Sequence, residues 1–180
     1  MNTRQLLAGL GQGAGVLALV FGGVAGAQAE VFMAIATAVP DGDTLWVQPD
    51  SGAPRRKLRL LGIDAPEICQ TGGAAARQAL RRLVGRNRLR IVVNFNDDYA
   101  RGLARIEVNG QDVAAAMVRS GNAWSYAWRG RSGPYAEQEA AARRAQAGLF
   151  AQPQPERPRD FRQHHGSCYR QDADGSFRIK

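Results

Sequence analysis

Cysteine, histidine and lysine are scarce in this chain, and each shortage narrows the chemistry open to it. Its 180 residues include two cysteines, Cys69 and Cys168, and two histidines, His164 and His165. These residues do not have the spacing of a zinc site. The sequence also has no nucleophile elbow for a Ser/His/Asp triad and no glycine-rich phosphate loop. The sequence therefore offers neither a zinc site nor either of these two motifs.

Arginine replaces lysine almost completely. Of the 24 basic residues only Lys57 and Lys180 are lysines, and the formal net charge is +8. Arginine forms two hydrogen bonds to one phosphate and stacks on bases, so this composition favours nucleic acid as a partner. A GC-rich coding bias would also raise the share of arginine, but it would not account for the net charge.

Two short segments concentrate acidic residues in this basic chain. VPDGDT at residues 39–44 and RLLGIDAPE at residues 59–67 together carry four carboxylates and Arg59. Clustered carboxylates repel one another, so they usually require a hard cation or a catalytic task. DGDT alone is also a common turn, and it lacks the later glycine and glutamate of an EF-hand loop. An acidic pocket in a basic surface is the arrangement that an enzyme acting on phosphate esters needs.

The N-terminal segment has the features of an export signal. Arg4 precedes an apolar run at residues 6–24, and the small residues Ala27 and Ala29 follow at the positions that a signal peptidase reads. We therefore expect residues 1–29 to be a signal peptide and the protein to be exported, either periplasmic or secreted. The run is long and rich in glycine, so an uncleaved segment that anchors the protein in a membrane is the alternative.

Export would place the two cysteines in an oxidising compartment. An even number of cysteines outside the cytoplasm most often forms disulfides, so Cys69 and Cys168 are predicted to pair. Two unpaired thiols are the other possibility.

Alternating apolar residues and helical spacing predict a mixed domain after the signal. Strands are predicted at residues 31–39, 44–48, 57–63, 89–95 and 102–108, and helices at 73–84, 111–120 and 134–147. Within the third strand Leu58 and Leu60 share one face, so Arg59 is expected on the other. Several short strands with few helices fit a small closed barrel such as an OB-fold. Residues 151–180 are rich in Gln, Pro and Arg and are predicted to be a mobile tail after a domain at residues 30–150.

Three motifs in order resemble the thermonuclease, or staphylococcal-nuclease-like, family. They are VPDGDT at residues 39–44, RLLGIDAPE at 59–67 and DYARGLA at 98–104. The resemblance covers roughly residues 32–150. It implies an α+β, mainly β fold with a five-stranded OB-type barrel and about three helices. It also implies a Ca²⁺-dependent nuclease that cleaves DNA and RNA.

The resemblance assigns roles to particular residues. Asp43 and Asp64 match the calcium carboxylates, and Ala65 matches a ligand that acts through its backbone carbonyl. Asp41 matches an acid just outside the ligand set, and Glu67 matches the residue that orients or deprotonates the attacking water. The remaining matches are two arginines that neutralise charge on the phosphate and an aromatic residue beside the nucleotide: Arg59, Arg101 and Tyr99. One departure is Ala100, which stands where the family commonly has glycine.

The sequence therefore favours an exported, monomeric, Ca²⁺-dependent nuclease with little sequence preference, whose products would carry 3′-phosphates. The rival interpretation is a non-catalytic OB-type module that binds nucleic acid or a protein. A pure binding module does not need acids, arginines and Glu67 together in one pocket, so that set favours the enzyme.

Overall fold

Five strands close into a barrel in the computed structural model, which describes residues 29–127, 130–172 and 177–180. In chain order the elements are β1 (Glu30–Ala38), β2 (Thr44–Pro49), β3 (Arg56–Leu60), β4 (Ile63–Asp64), α1 (Gly73–Val84), β5 (Arg88–Asn96), β6 (Gly102–Val108), β7 (Gln111–Asp112), α2 (Val113–Arg119), β8 (Trp124–Ser125), α3 (Ala136–Arg144), a 3-10 turn (Gly148–Ala151), α4 (Pro158–His165), β9 (Tyr169–Gln171) and β10 (Phe177–Ile179). The predicted signal peptide lies, apart from its last residue, outside the described residues.

The barrel closes because β3 has two neighbours. The sheet runs β3-β2-β1-β5-β6, with the short β7 added beside β6, and β3 also pairs with β6 in parallel, with Leu58 opposite Gly102. Alternation sends one face of each barrel strand inward, and the aliphatic residues Leu45, Leu58, Ile91 and Ile106 on these faces are all 0% exposed. The predicted α+β class and five-stranded OB-type barrel are confirmed.

The helices cover the barrel with apolar faces at helical spacing. Leu80 of α1 and Met117 of α2 are fully buried. Asp112 caps α2, since its side chain accepts a hydrogen bond from the Ala115 N–H at 3.0 Å. The predicted helices at residues 111–120 and 134–147 are therefore confirmed in type, although α2 and α3 are both shorter than predicted.

The strand predicted at residues 57–63 is wrong in its last part. β3 ends at Leu60, the chain turns, and β4 pairs with β8 outside the barrel. Gly62 permits this turn because its φ is +81° and a Cβ there would lie 2.5 Å from Pro134. The turn carries Asp64 back beside Arg59.

The mobile tail predicted beyond Phe150 is also wrong. Residues 158–165 form α4, and the hairpin of β9 and β10 follows. The connections that hold this C-terminal extension to the barrel domain include the disulfide between Cys69 and Cys168, a hydrogen bond from Gln70 Nε2 to the Glu156 carbonyl at 2.7 Å, and ion pairs of Arg162 with Glu67 and Asp64. The disulfide was predicted from the two cysteines, but the composition of this polar extension does not indicate the other contacts. Within the described residues, no helix combines the length and hydropathy needed to cross a bilayer.

Candidate functional site

Arg59 joins the two acidic motifs. It lies between the buried Leu58 and Leu60, so its side chain leaves β3 on the opposite face. Its Nη1 donates to Asp43 Oδ1 at 2.8 Å and its Nη2 to Asp64 Oδ1 at 2.9 Å. One guanidinium thus contacts both acids that the sequence analysis predicts as metal ligands.

The turn at residues 41–44 is ordered by its own side chains. Asp41 Oδ1 accepts hydrogen bonds from the backbone N–H groups of Asp43 and Thr44, at 3.1 and 2.7 Å. Asp43 Oδ2 accepts the N–H of Ala65 at 3.0 Å, which ties the first motif to the second. Gly42 makes the close approach possible, because a Cβ there would lie 2.7 Å from the Cβ of Ala65.

Negative charge accumulates in this buried pocket. Asp43 is 4% exposed and Asp64 is 6% exposed. Burial, and then the charge of Asp43, raise the pKa of Asp41 to about 7. Burial and Asp43 likewise raise the pKa of Asp64, although Arg59 opposes the shift. Burial alone would lower the pKa of Arg59, but the three surrounding carboxylates outweigh it and the pKa is raised.

This donor set fits a hard divalent cation in its chemistry. Carboxylates whose pKa values are raised by burial, and then by the charge of Asp43, gain from a positive ion, and ligands that are all oxygen suit Ca²⁺ or Mg²⁺. The described residues contain no group of three or more His, Cys, Asp or Glu arranged around one point as a metal cage. Asp43 and Asp64 therefore lie together as a pair of carboxylates, each of which accepts a hydrogen bond from Arg59.

Glu67 lies at the edge of the same pocket. Its N–H donates to Gln70 Oε1 at 3.0 Å, and its Oε1 accepts from Arg162 Nη1 at 2.6 Å. The second nitrogen, Nη2 of Arg162, lies 3.5 Å from Asp64 Oδ2. Sequence analysis missed Arg162. The predicted pairing of Cys69 with Cys168 was the one sequence feature that could have indicated that α4 lies beside Glu67. Cys69 is two residues after Glu67.

Arg101 is held in the loop before β6. Its Nε donates to Asp97 Oδ2 at 2.8 Å, and its guanidinium carbon lies 5.3 Å from the centre of the Tyr99 ring. The Tyr99 side chain is exposed. Because Gly102 pairs with Leu58, this loop enters the barrel beside the strand that carries Arg59. Sequence analysis missed Asp97.

Ala100 in that loop has a φ of +57°. Glycine adopts this left-handed region without steric cost, whereas a Cβ makes it unfavourable. The expected departure from the family pattern thus falls at a position where the backbone favours glycine.

Cys69 and Cys168 form a disulfide with their Cα atoms 5.5 Å apart. Cys168 is buried. The bridge fastens the C-terminal extension two residues from Glu67.

The chain matches one protein family model and is similar to several known proteins. The family model for staphylococcal nuclease homologues matches residues 57–152. A probable staphylococcal-like nuclease, CAN2 of Oryza sativa subsp. japonica, is 34% identical over 121 residues, which cover 67% of this chain and 33% of the relative. Protein ParB of Escherichia coli is 37% identical over 135 residues, which cover 68% of this chain and 74% of the relative. An uncharacterized endonuclease of Haemophilus influenzae is 32% identical over 124 residues, with 69% of each chain covered.

The plant relatives are much longer than the shared region, and the chain spans about a third of the length of the first of them. The two bacterial relatives are matched over more than two thirds of their length. Together with the matched family model, this coverage shows that the protein belongs to the family of staphylococcal nuclease homologues.

Proposed function

We propose that this protein is a nuclease that hydrolyses phosphodiester bonds of DNA and RNA with little sequence preference, requires Ca²⁺ and leaves 3′-phosphate ends. The observation that carries the proposal is the contact of Arg59 with both buried acids, Asp43 and Asp64, at 2.8 and 2.9 Å. A module that only binds nucleic acid gains nothing from burying two acids around an arginine.

Asp43, Asp64 and the backbone carbonyl of Ala65 would hold the ion. When bound there, Ca²⁺ supplies electrostatic stabilisation to the phosphate oxygens as their negative charge grows. Asp41 contributes indirectly, because it holds the turn through two backbone N–H groups.

Glu67 would handle the proton of the attacking water. A carboxylate at the edge of the pocket can orient the water or accept its proton, and a positioned base contributes about 10²–10⁴-fold in rate. Its place on the loop after Asp64 keeps it close to the acids without making it part of the buried pair.

Arg59 and Arg101 would neutralise the phosphate. Guanidinium groups aimed at the non-bridging oxygens stabilise the transition state more than the substrate, since the charge on those oxygens increases during attack. Tyr99 is exposed beside Arg101 and would contact a nucleotide base or sugar.

We also propose that the protein acts outside the cytoplasm as a monomer. The disulfide supports this location, because such bonds persist mainly in oxidising compartments. The anchored form remains the alternative, and cell fractionation separates the two.

The test is hydrolysis of DNA and RNA by the purified protein with Ca²⁺ and with a chelator. We expect digestion only with Ca²⁺, and products whose ends become extendable after phosphatase treatment. Glu67→Gln should lower kcat about 10²–10⁴-fold and keep DNA binding. Glu107→Gln, on the outer surface of β6, is the control and should keep full activity.

DNA binding without hydrolysis by the wild-type protein would instead support the non-catalytic module. Digestion that persists in the chelator would remove Ca²⁺ from the proposal. Full activity of the Glu67→Gln variant would remove Glu67 from its role.

A further inference from the structure

The C-terminal extension supplies a charged group to the acidic pocket. The family model ends at residue 152, and α4 begins at Pro158 beyond it. Arg162 of α4 reaches back across 95 positions of sequence to Glu67, with its Nη1 at 2.6 Å from Oε1. Its Nη2 lies 3.5 Å from Asp64 Oδ2, on the carboxylate oxygen that Arg59 leaves to it.

The backbone of Glu67 is tied to the same extension by a second route. Its N–H donates to Gln70 Oε1, and Gln70 Nε2 donates to the Glu156 carbonyl at 2.7 Å. The side chain and the main chain of Glu67 are therefore both held, directly or through one residue, by segments on the two sides of Pro158.

The extension is fixed on both sides of Arg162. On the N-terminal side of Arg162, the Glu156 carbonyl accepts the hydrogen bond from Gln70. On its C-terminal side, Cys168 forms the disulfide with Cys69. Pro158, at the start of α4, is buried as well. The chain is therefore held to the barrel domain both before and after Arg162.

A glutamate side chain has several rotatable bonds and loses conformational entropy when it is ordered. Charge-assisted hydrogen bonds at such short distance restrict the rotamers without any direct contact with substrate. The Glu67 side chain is 26% exposed and would otherwise sample solvent.

We propose that Arg162 is a positioning residue for this enzyme: through its ion pair it holds the carboxylate of Glu67 at the edge of the pocket, and the disulfide-bound extension is the frame that places it. The inference rests on the proposed nuclease function. It adds a residue from outside the region that the family model matches.

The test compares kcat and KM for Arg162→Ala, Arg162→Gln and Arg162→Lys with those of the wild-type protein. The control is Arg159→Ala, which removes an exposed arginine from the same helix. Mutation of a residue that orients a metal ligand typically lowers activity by about 10–100-fold, and we expect a similar factor for a residue that orients Glu67. We expect Arg162→Ala and Arg162→Gln to lower kcat by about that factor, with KM within about twofold. Arg162→Lys should recover part of the loss, and Arg159→Ala should match the wild type.

Two further readouts separate positioning from a structural role. In the Glu67→Gln background, Arg162→Ala should cause no additional loss, because its effect passes through Glu67. Calorimetric titration with Ca²⁺ should give an unchanged or tighter Kd in Arg162→Ala, since a positive charge near Asp64 has been removed. Circular dichroism and a thiol count confirm that each variant is folded and disulfide-bonded.

Several results would overturn the role. A higher kcat in Arg162→Ala would mean that the ion pair inhibits the enzyme, and a raised KM with unchanged kcat would mean that Arg162 binds substrate. Additive losses with Glu67→Gln would mean that it does not act through Glu67. An inactive wild-type protein would remove the nuclease function and this role together, whereas an active wild type with unaffected Arg162 variants would remove only this role.

Discussion

Asp97 binds Arg101 at two places, through a hydrogen bond from the side-chain Nε at 2.8 Å and one from the backbone N–H at 2.9 Å. The same carboxylate also accepts the N–H of Tyr99 at 3.0 Å. These bonds lower the pKa of Asp97 against a burial effect that would raise it. A single acid thus orders the loop that presents Arg101 and Tyr99.

Replacing Asp97 should disturb the conformation of the loop that presents Arg101 and Tyr99. In Asp97→Ala, Arg101 loses its orienting partner, and we expect kcat/KM for DNA to fall about 10–150-fold, since one charge-assisted bond contributes about 1.5–3 kcal/mol. Steady-state hydrolysis measures the change. The matched control is Asp98→Ala, which removes the same charge from the adjacent exposed position. Equal effects of the two variants would contradict a specific role for Asp97.

The raised pKa of Asp41 predicts a pH-dependent stability of the ion-free protein. Unfolded Asp41 has its ordinary pKa of 3.8, while in the folded protein the value is about 7. Between these values the folded state holds a proton that the unfolded state lacks, so this contribution to the free energy of unfolding decreases as pH rises and levels off above about 7.

Asp41→Asn should remove this slope and raise the stability above neutral pH. Denaturant unfolding in a chelator, from about pH 5 to about pH 8, measures it. The amide oxygen can still accept the two backbone N–H groups that hold the turn. A slope that is the same in the variant would show that another group carries the pH dependence.

The disulfide should contribute strongly to stability. Cys69 and Cys168 are 99 positions apart, and in the chain-entropy model a crosslink of that span stabilises the folded state by about 4–5 kcal/mol. We expect the double variant Cys69→Ser/Cys168→Ser to lose roughly that amount in denaturant unfolding. A reductant should destabilise the wild type and leave the double variant unchanged. Equal sensitivity of both proteins to reductant would contradict this assignment.

Local patterns of apolar residues in the sequence predicted most of the barrel. Alternation placed Leu58 and Leu60 inward and Arg59 outward, and the spacing of Leu80 and Val84 predicted α1 correctly. The end of β3 was harder to predict, because the turn at Gly62 lies close against Pro134, which is far along the sequence.

The candidate site could be predicted only where its members lie within recognisable motifs. Asp43, Asp64 and Arg59 come together as the motifs suggest. Arg162 and Asp97 contact the predicted residues but belong to no motif. Arg162 lies beside Glu67 because the disulfide and the packing of the polar helix α4 place it there. No periodic pattern of hydrophobicity indicates such a contact.

The bridge from Cys69 to Cys168 also affects how shortened versions of this protein should behave. A fragment that stops at residue 152, where the family model ends, would keep all five barrel strands and every motif yet leave Cys69 unpaired and Glu67 without its guanidinium neighbour. The smallest piece that retains the bridge therefore extends at least to Cys168, beyond the end of the region that the family model matches.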